Sequence, residues 1–84
     1  MAGNIKIADD VPWSDHVTDY DREHFVIYVR LLDAERDGAS DDDMARTILG
    51  IDPAKEPDRA KRALSSHLNR AHWMTKQGFK DLLK

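Results

Sequence analysis

The sequence contains no cysteine in its 84 residues, and that absence sets the terms on which it can fold. A chain this short buries only about 60–65% of the surface its unfolded form exposes. Small domains often compensate with disulfides or with zinc held by thiolates. Both are excluded here, together with cysteine nucleophiles. Apolar packing must hold the chain: 40% of residues are hydrophobic and 35% charged, as expected for one highly solvated globular domain and not for a disordered chain. A cysteine-free composition suits a reducing compartment, so a cytoplasmic location is expected. Met1–Asp10 has no apolar core of the signal-peptide kind, and the longest apolar run, Phe25–Val29, is far short of the roughly 20 residues that span a bilayer. Neither a signal peptide nor a membrane segment is expected.

Hydrophobic periodicity predicts an all-α fold. Residues 1–17 mix Ile5, Ile7, Val11, Pro12 and Trp13 with acidic residues in no helical period. They read as a flexible N-terminal arm, partly disordered at Met1–Asp10, with Trp13 and Val17 as docking candidates. The domain proper is then 18–84. Its first helix is expected over Tyr20–Asp37, opened by a capping box of Thr18 and Asp21 and stopped by Gly38. Phe25, Tyr28, Val29 and Leu32 share one face at i, i+3, i+4 and i+7. The β-favouring run Phe25–Val29 would also suit a strand, but its charged flanks continue a helix. Ile27 and Leu31 widen the apolar arc beyond what one contact face needs, so the arm, the C-terminal turn or a partner must cover them.

A short second helix is expected over Asp41–Leu49, with Ser40 and Asp43 as its capping box and three aspartates on the positive end of its dipole. Met44, Ala45, Ile48 and Leu49 form its apolar face, and Gly50 suits a left-handed stop. Pro53 and Pro57 keep the following segment out of the helix. The third helix is expected over Asp58–Lys76, with Ala60, Ala63, Leu64, His67, Leu68, Ala71 and Met74 facing inward. Gly78 ends it, and Phe79–Leu83 make a last turn, with Phe79, Leu82 and Leu83 folding back on the core. Together these make a small helical domain, a helix-turn-helix variant whose turn is longer than the usual three or four residues, or equally two helices of a small bundle.

Charge is polarised along the chain: residues 1–19 carry −3, residues 20–50 carry −4 and residues 51–84 carry +4. A basic last third can mean nucleic acid, and Arg59, Lys61 and Arg62 would then be the groove readers. Glu56, Asp58 and Asp41-Asp42-Asp43 stand against it, because acids facing phosphate cost affinity. Trp73 falls opposite the apolar face, in a stripe with Arg62, Ser66 and Asn69. Trp and Arg on an outward stripe suit an interface anchor, unless the last turn covers Trp73. His16, His24, His67 and His72 lack metal-ligand spacing, and His67 reads as a core histidine with one hydrogen bond. Ser65, Ser66 and His67 are adjacent on a helix and cannot act as nucleophile and base. The three aspartates lack the loop geometry of a calcium site. No catalytic, cofactor or metal site is expected, and the chain is not read as an enzyme.

Two blocks of residues carry a resemblance. The first is Val11-Pro12-Trp13, Thr18, Tyr20-Asp21, His24-Phe25, Tyr28, Arg30-Leu31-Leu32-Asp33-Ala34 and Gly38-Ala39. The second is Ala45, Leu49-Gly50-Ile51-Asp52-Pro53, Arg59-Ala60, Ser66-His67-Leu68, Arg70-Ala71, Trp73-Met74, Gly78-Phe79 and Leu82-Leu83. In this order they resemble a proteobacterial family of extended-turn helix-turn-helix domains carried on integrative and conjugative elements. In size and charge the chain is similar to the stand-alone, QseM-like antiactivators of that family. The resemblance implies binding to the N-terminal domain of an FseA-type transcriptional activator. By mimicking the activator's own helix-turn-helix-like domain, such a protein keeps element excision and transfer off. A quorum-sensing regulator is a further candidate partner. The partner face carried over comprises Tyr20, His24, Ile27, Leu31, Ser66, Arg70, Trp73 and Phe79. DNA-binding members have an aromatic residue where this chain has Asp41-Asp42-Asp43 and a basic one at His72. Those departures speak against the alternative, a DNA-binding regulator or excisionase-like factor using Arg59, Lys61 and Arg62.

Overall fold

The computed structural model describes residues 7–78. Met1–Lys6 of the arm, and the expected turn with Phe79, Leu82 and Leu83, lie outside the described residues. Every regular element among residues 7–78 is helical: α1 (Asp19–Glu23), α2 (Phe25–Arg36), α3 (Asp41–Met44) running into a wider π-helical turn (Ala45–Leu49), and α4 (Pro57–Trp73), followed by a second π-helical turn (Met74–Gly78).

The helix starts follow their capping residues. Thr18 Oγ1 accepts from the Asp21 N–H at 3.1 Å, and the Asp21 carboxylate accepts from the Thr18 N–H at 2.9 Å, completing the box expected from the sequence. Ser40 Oγ accepts from the Asp43 N–H at the start of α3. Pro57 opens α4, where its missing N–H leaves no helix bond unmade. The Ala45 carbonyl accepts from both the Gly50 and Ile51 N–H groups, and Gly50 takes the left-handed conformation at φ 71°. This widened, closed turn leaves Leu49 and Ile51 both in the core.

The single helix expected over Tyr20–Asp37 is divided at His24, whose φ of −110° and ψ of 16° leave the helical region. Its ring Nδ1–H donates to the Tyr20 carbonyl at 2.8 Å, beside the backbone bond from its own N–H. A side chain competing for a helix carbonyl in this way accompanies the bend.

Two apolar clusters meet where α2 packs on α4. One joins Leu31 to Met44, Ala45, Leu49, Ile51, Ala60, Ala63 and Leu64; the other joins Val17, Tyr28, Ala71 and Met74. The inward face of α4 lies where its spacing placed it, with Leu68 half-buried. The face of α2 does so only in part: Tyr28 is buried and Leu32 is half-buried against the second cluster. Leu31 is fully buried and Ile27 packs on the same cluster, whereas Phe25 and Val29 are exposed. The expected orientation of this helix is therefore corrected by rotation about its axis. Ile27, Leu31 and Ala34 form a stripe free of charge, while the stripe of Val29 continues into Asp33 and Arg36. Water takes the stripe that carries ions.

Candidate partner-binding surface

The segment read as an arm lies along α4 from Val11 to Val17. Val11 and Val17 are buried, and the Val11 N–H donates to Ser66 Oγ. Its anchor is Arg70, fully buried together with Asp21. The Arg70 guanidinium donates to both Asp21 carboxylate oxygens, at 3.0 and 2.7 Å, to the Ser14 carbonyl at 2.7 Å and to the His16 carbonyl at 2.8 Å. Trp73 and Trp13 stack over it, with ring centroids 3.9 and 4.8 Å from the guanidinium carbon. Tyr28 Oη donates to Asp21 at 2.7 Å. Burial alone would raise the Asp21 pKa; Arg70, the Thr18 N–H and Tyr28 reverse that and hold it below the ordinary value. Burial and the adjacent carboxylate push Tyr28 up, which keeps its phenol a donor. The two rings and the satisfied ion pair explain how a charged side chain lies at 0% exposure.

A second polar chain runs beside it. The Ala8 N–H donates to Tyr20 Oη at 3.0 Å, Tyr20 and His67 Nε2 are bonded at 2.6 Å, and His67 Nδ1–H donates to the Ala63 carbonyl at 2.6 Å. In the neutral imidazole, which burial favours, Nδ1–H donates and Nε2 accepts from Tyr20. Burial pushes the His67 pKa down, the Ala63 carbonyl opposes this, and nearby His24 adds to the depression. The unfolded chain thus takes up a proton at His67 below pH ~6.5. This contribution to stability is complete above that pH and declines as pH falls toward the lower folded value. Urea midpoints at about pH 7.5 and 5.5 should therefore fall less for His67→Gln than for the parent chain; an equal fall would place the proton uptake elsewhere.

These contacts revise the partner face expected from the sequence. Leu31 and Arg70 are fully buried and His24 is 3% exposed, so their side chains are committed to the interior and are corrected from surface to core. Tyr20 is half-buried, stacked on His24 and bonded to His67. Ser66 is spent on Val11, and half-buried Trp73 covers Arg70. Phe79 lies outside the described residues. Of the alternative DNA readers, Arg59 pairs with Asp9 at 2.8 Å and Glu56 at 3.1 Å, while Lys61 and Arg62 are exposed.

The apolar surface lies instead on α2, where Phe25, Val26 and Val29 are 47, 66 and 42% exposed. Beside it Val17, Asp21, Arg22, Phe25 and Met74 line a hollow of about 350 Å³. Among the described residues Trp13 is the other large exposed hydrophobic residue, 57% open. The signal for the α2 strip was the placement of charge: Arg22 lies four residues before Val26 and Asp33 four after Val29.

Among the described residues no group of three potential ligands could hold a metal ion, and no helix is long and apolar enough to cross a membrane. Comparison with protein-family models finds no match, and comparison with curated proteins finds none of significant similarity.

Proposed function

We propose that this chain is a QseM-like antiactivator. It binds the N-terminal domain of an FseA-type transcriptional activator and, by occupying the surface on which the activator's own domain docks, keeps conjugative-element excision and transfer off. In this reading α3, the segment 50–56 and α4 form a helix-turn-helix of the extended-turn kind, used as a protein-binding scaffold. The observation that carries it is the α2 strip. Three neighbouring apolar side chains on a small, heavily charged domain, each more than two-fifths exposed, are what a partner helix or sheet buries. The pairing of Arg59 with Asp9 and Glu56 and the three aspartates opening α3 weigh against phosphate as the ligand.

The test is calorimetric binding of an FseA-type N-terminal domain to the parent chain and to Val26→Asp/Val29→Asp. The expected loss is at least about 30-fold in Kd, the scale of an interface hot spot, with circular dichroism unchanged because both residues face water. No binding by the parent chain would end the proposal. Equal binding by the folded double variant would move the interface off α2. Trp73→Ala makes a poorer probe, since removing the ring uncovers Arg70.

A further inference from the structure

We infer that the groove between α3 and the first three turns of α4 is a second docking surface, and that its occupant is a basic amphipathic segment of a protein. The groove encloses about 470 Å³. Pro57, Lys61 and Leu68 follow one side of α4 over residues 57–68, a rise of about 16 Å. Pro53 also lines the groove, and Asp41 and Asp42 line it from α3. Its apolar lining suits an apolar side chain from a segment about three turns long. Its charge selects the rest of that segment. Asp41 and Asp42 are exposed and stand in successive positions against Lys61, the one cation lining the groove, while the adjoining Asp43 is paired with Arg46 at 3.6 Å. Lysine or arginine on the occupant meets Asp41 and Asp42 favourably, and phosphate does not. The groove shares no residue with the hollow beside the α2 strip, so the two surfaces can be occupied and tested separately.

The probe is a pair of synthetic helical peptides of about 11 residues, three turns. Both carry leucine along one face; one has lysine and arginine at the remaining positions, and its twin has glutamate there. Each is titrated into the isotope-labelled full chain and followed by amide chemical-shift mapping. The cationic peptide is expected to shift Ala45, Lys61 and Leu68 and the twin is not. Asp41→Lys/Asp42→Lys, changed at two exposed positions, should raise its Kd about tenfold or more, the combined scale of two surface ion pairs replaced by repulsion. Four results would each overturn the inference: no shift from the cationic peptide up to about 1 mM; shifts confined to Phe25–Val29; equal shifts from the twin; or an unchanged Kd in the folded double variant. Groove shifts produced in the parent chain by a short DNA duplex would also overturn it, by assigning the groove to phosphate. Binding to the activator domain through α2 is measured independently of all these outcomes.

Discussion

Asp21→Asn is expected to destabilise the domain by about 3–5 kcal/mol, the cost of leaving one member of a buried ion pair alone. The Asp21 carboxylate accepts from Arg70, from Tyr28 and from the Thr18 N–H, and neither it nor Arg70 has any exposed side-chain surface. An amide in its place keeps the shape, leaves the guanidinium without its counter-charge and confronts the donors with an N–H₂ group. Total stability for a chain this size is of order 4–12 kcal/mol, so the variant should be partly or wholly unfolded at neutral pH. Urea melts measure this. The exposed pair Asp19–Arg22, at 3.4 Å, is the control, and Asp19→Ala should change stability by less than about 0.5 kcal/mol. The double variant Asp21→Asn/Arg70→Met should be more stable than Asp21→Asn, because it removes the orphaned charge. If the single variant loses under about 1 kcal/mol, the pair is solvated and Arg70 does not clasp the arm through a buried ion pair. The pH dependence has a fixed sign. The folded pKa of Asp21 is lowered, so its contribution is complete above the unfolded value near 3.9 and is lost as pH falls through the folded one.

Leu31→Ala should cost about 2–5 kcal/mol, the range for a leucine removed from a closed core. Val29→Ala, two residues away on the same helix, should cost no more than about 0.5 kcal/mol, as at ordinary surface sites. Leu31 is fully enclosed against Met44, Ala45, Ile51, Ala60 and Leu64 and their neighbours, whereas Val29 is 42% exposed. Urea midpoints for the pair separate the two possible orientations of α2. A larger loss at Val29 than at Leu31 would restore the orientation its aromatic and β-branched residues suggest.

That pair also marks how far the sequence could be read. The inward face of α4 was legible because Ala60, Ala63, Leu64, His67 and Ala71 repeat at helical spacing between charged residues, so only one orientation hides them. His67 was legible as a core residue for the same reason, although its bond to Tyr20 was not. On α2 apolar residues nearly surround the helix. The deciding information lay in the charges that continue the outer stripe, and counting apolar residues overlooked it. The break at His24 is accompanied by a side chain turning back onto its own helix, which no periodicity registers. Arg70 reads as a surface cation in the sequence because its partner is 49 residues away and its cover comes from two tryptophans at opposite ends of the chain. Of the expected partner face, Tyr20, Ile27, Ser66 and Trp73 keep half-buried surface, and the α2 strip is the more exposed apolar area.

The Arg70 clasp also bears on the order of events in folding. α3 and α4 are neighbours in sequence and can pair after closing a short loop. The bonds from Arg70 to Asp21, Ser14 and His16 span 49, 56 and 54 residues, so each waits on closure of most of the chain. They also need α4 already formed, since a guanidinium between two rings and three segments has no partial version. Contacts made after the rate-limiting step leave the folding rate nearly unchanged and govern unfolding instead. Arg70→Met is then expected to raise the unfolding rate and leave the folding rate nearly unchanged, which stopped-flow urea chevrons measure; an equal slowing of folding would place the Arg70 contacts in the rate-limiting step.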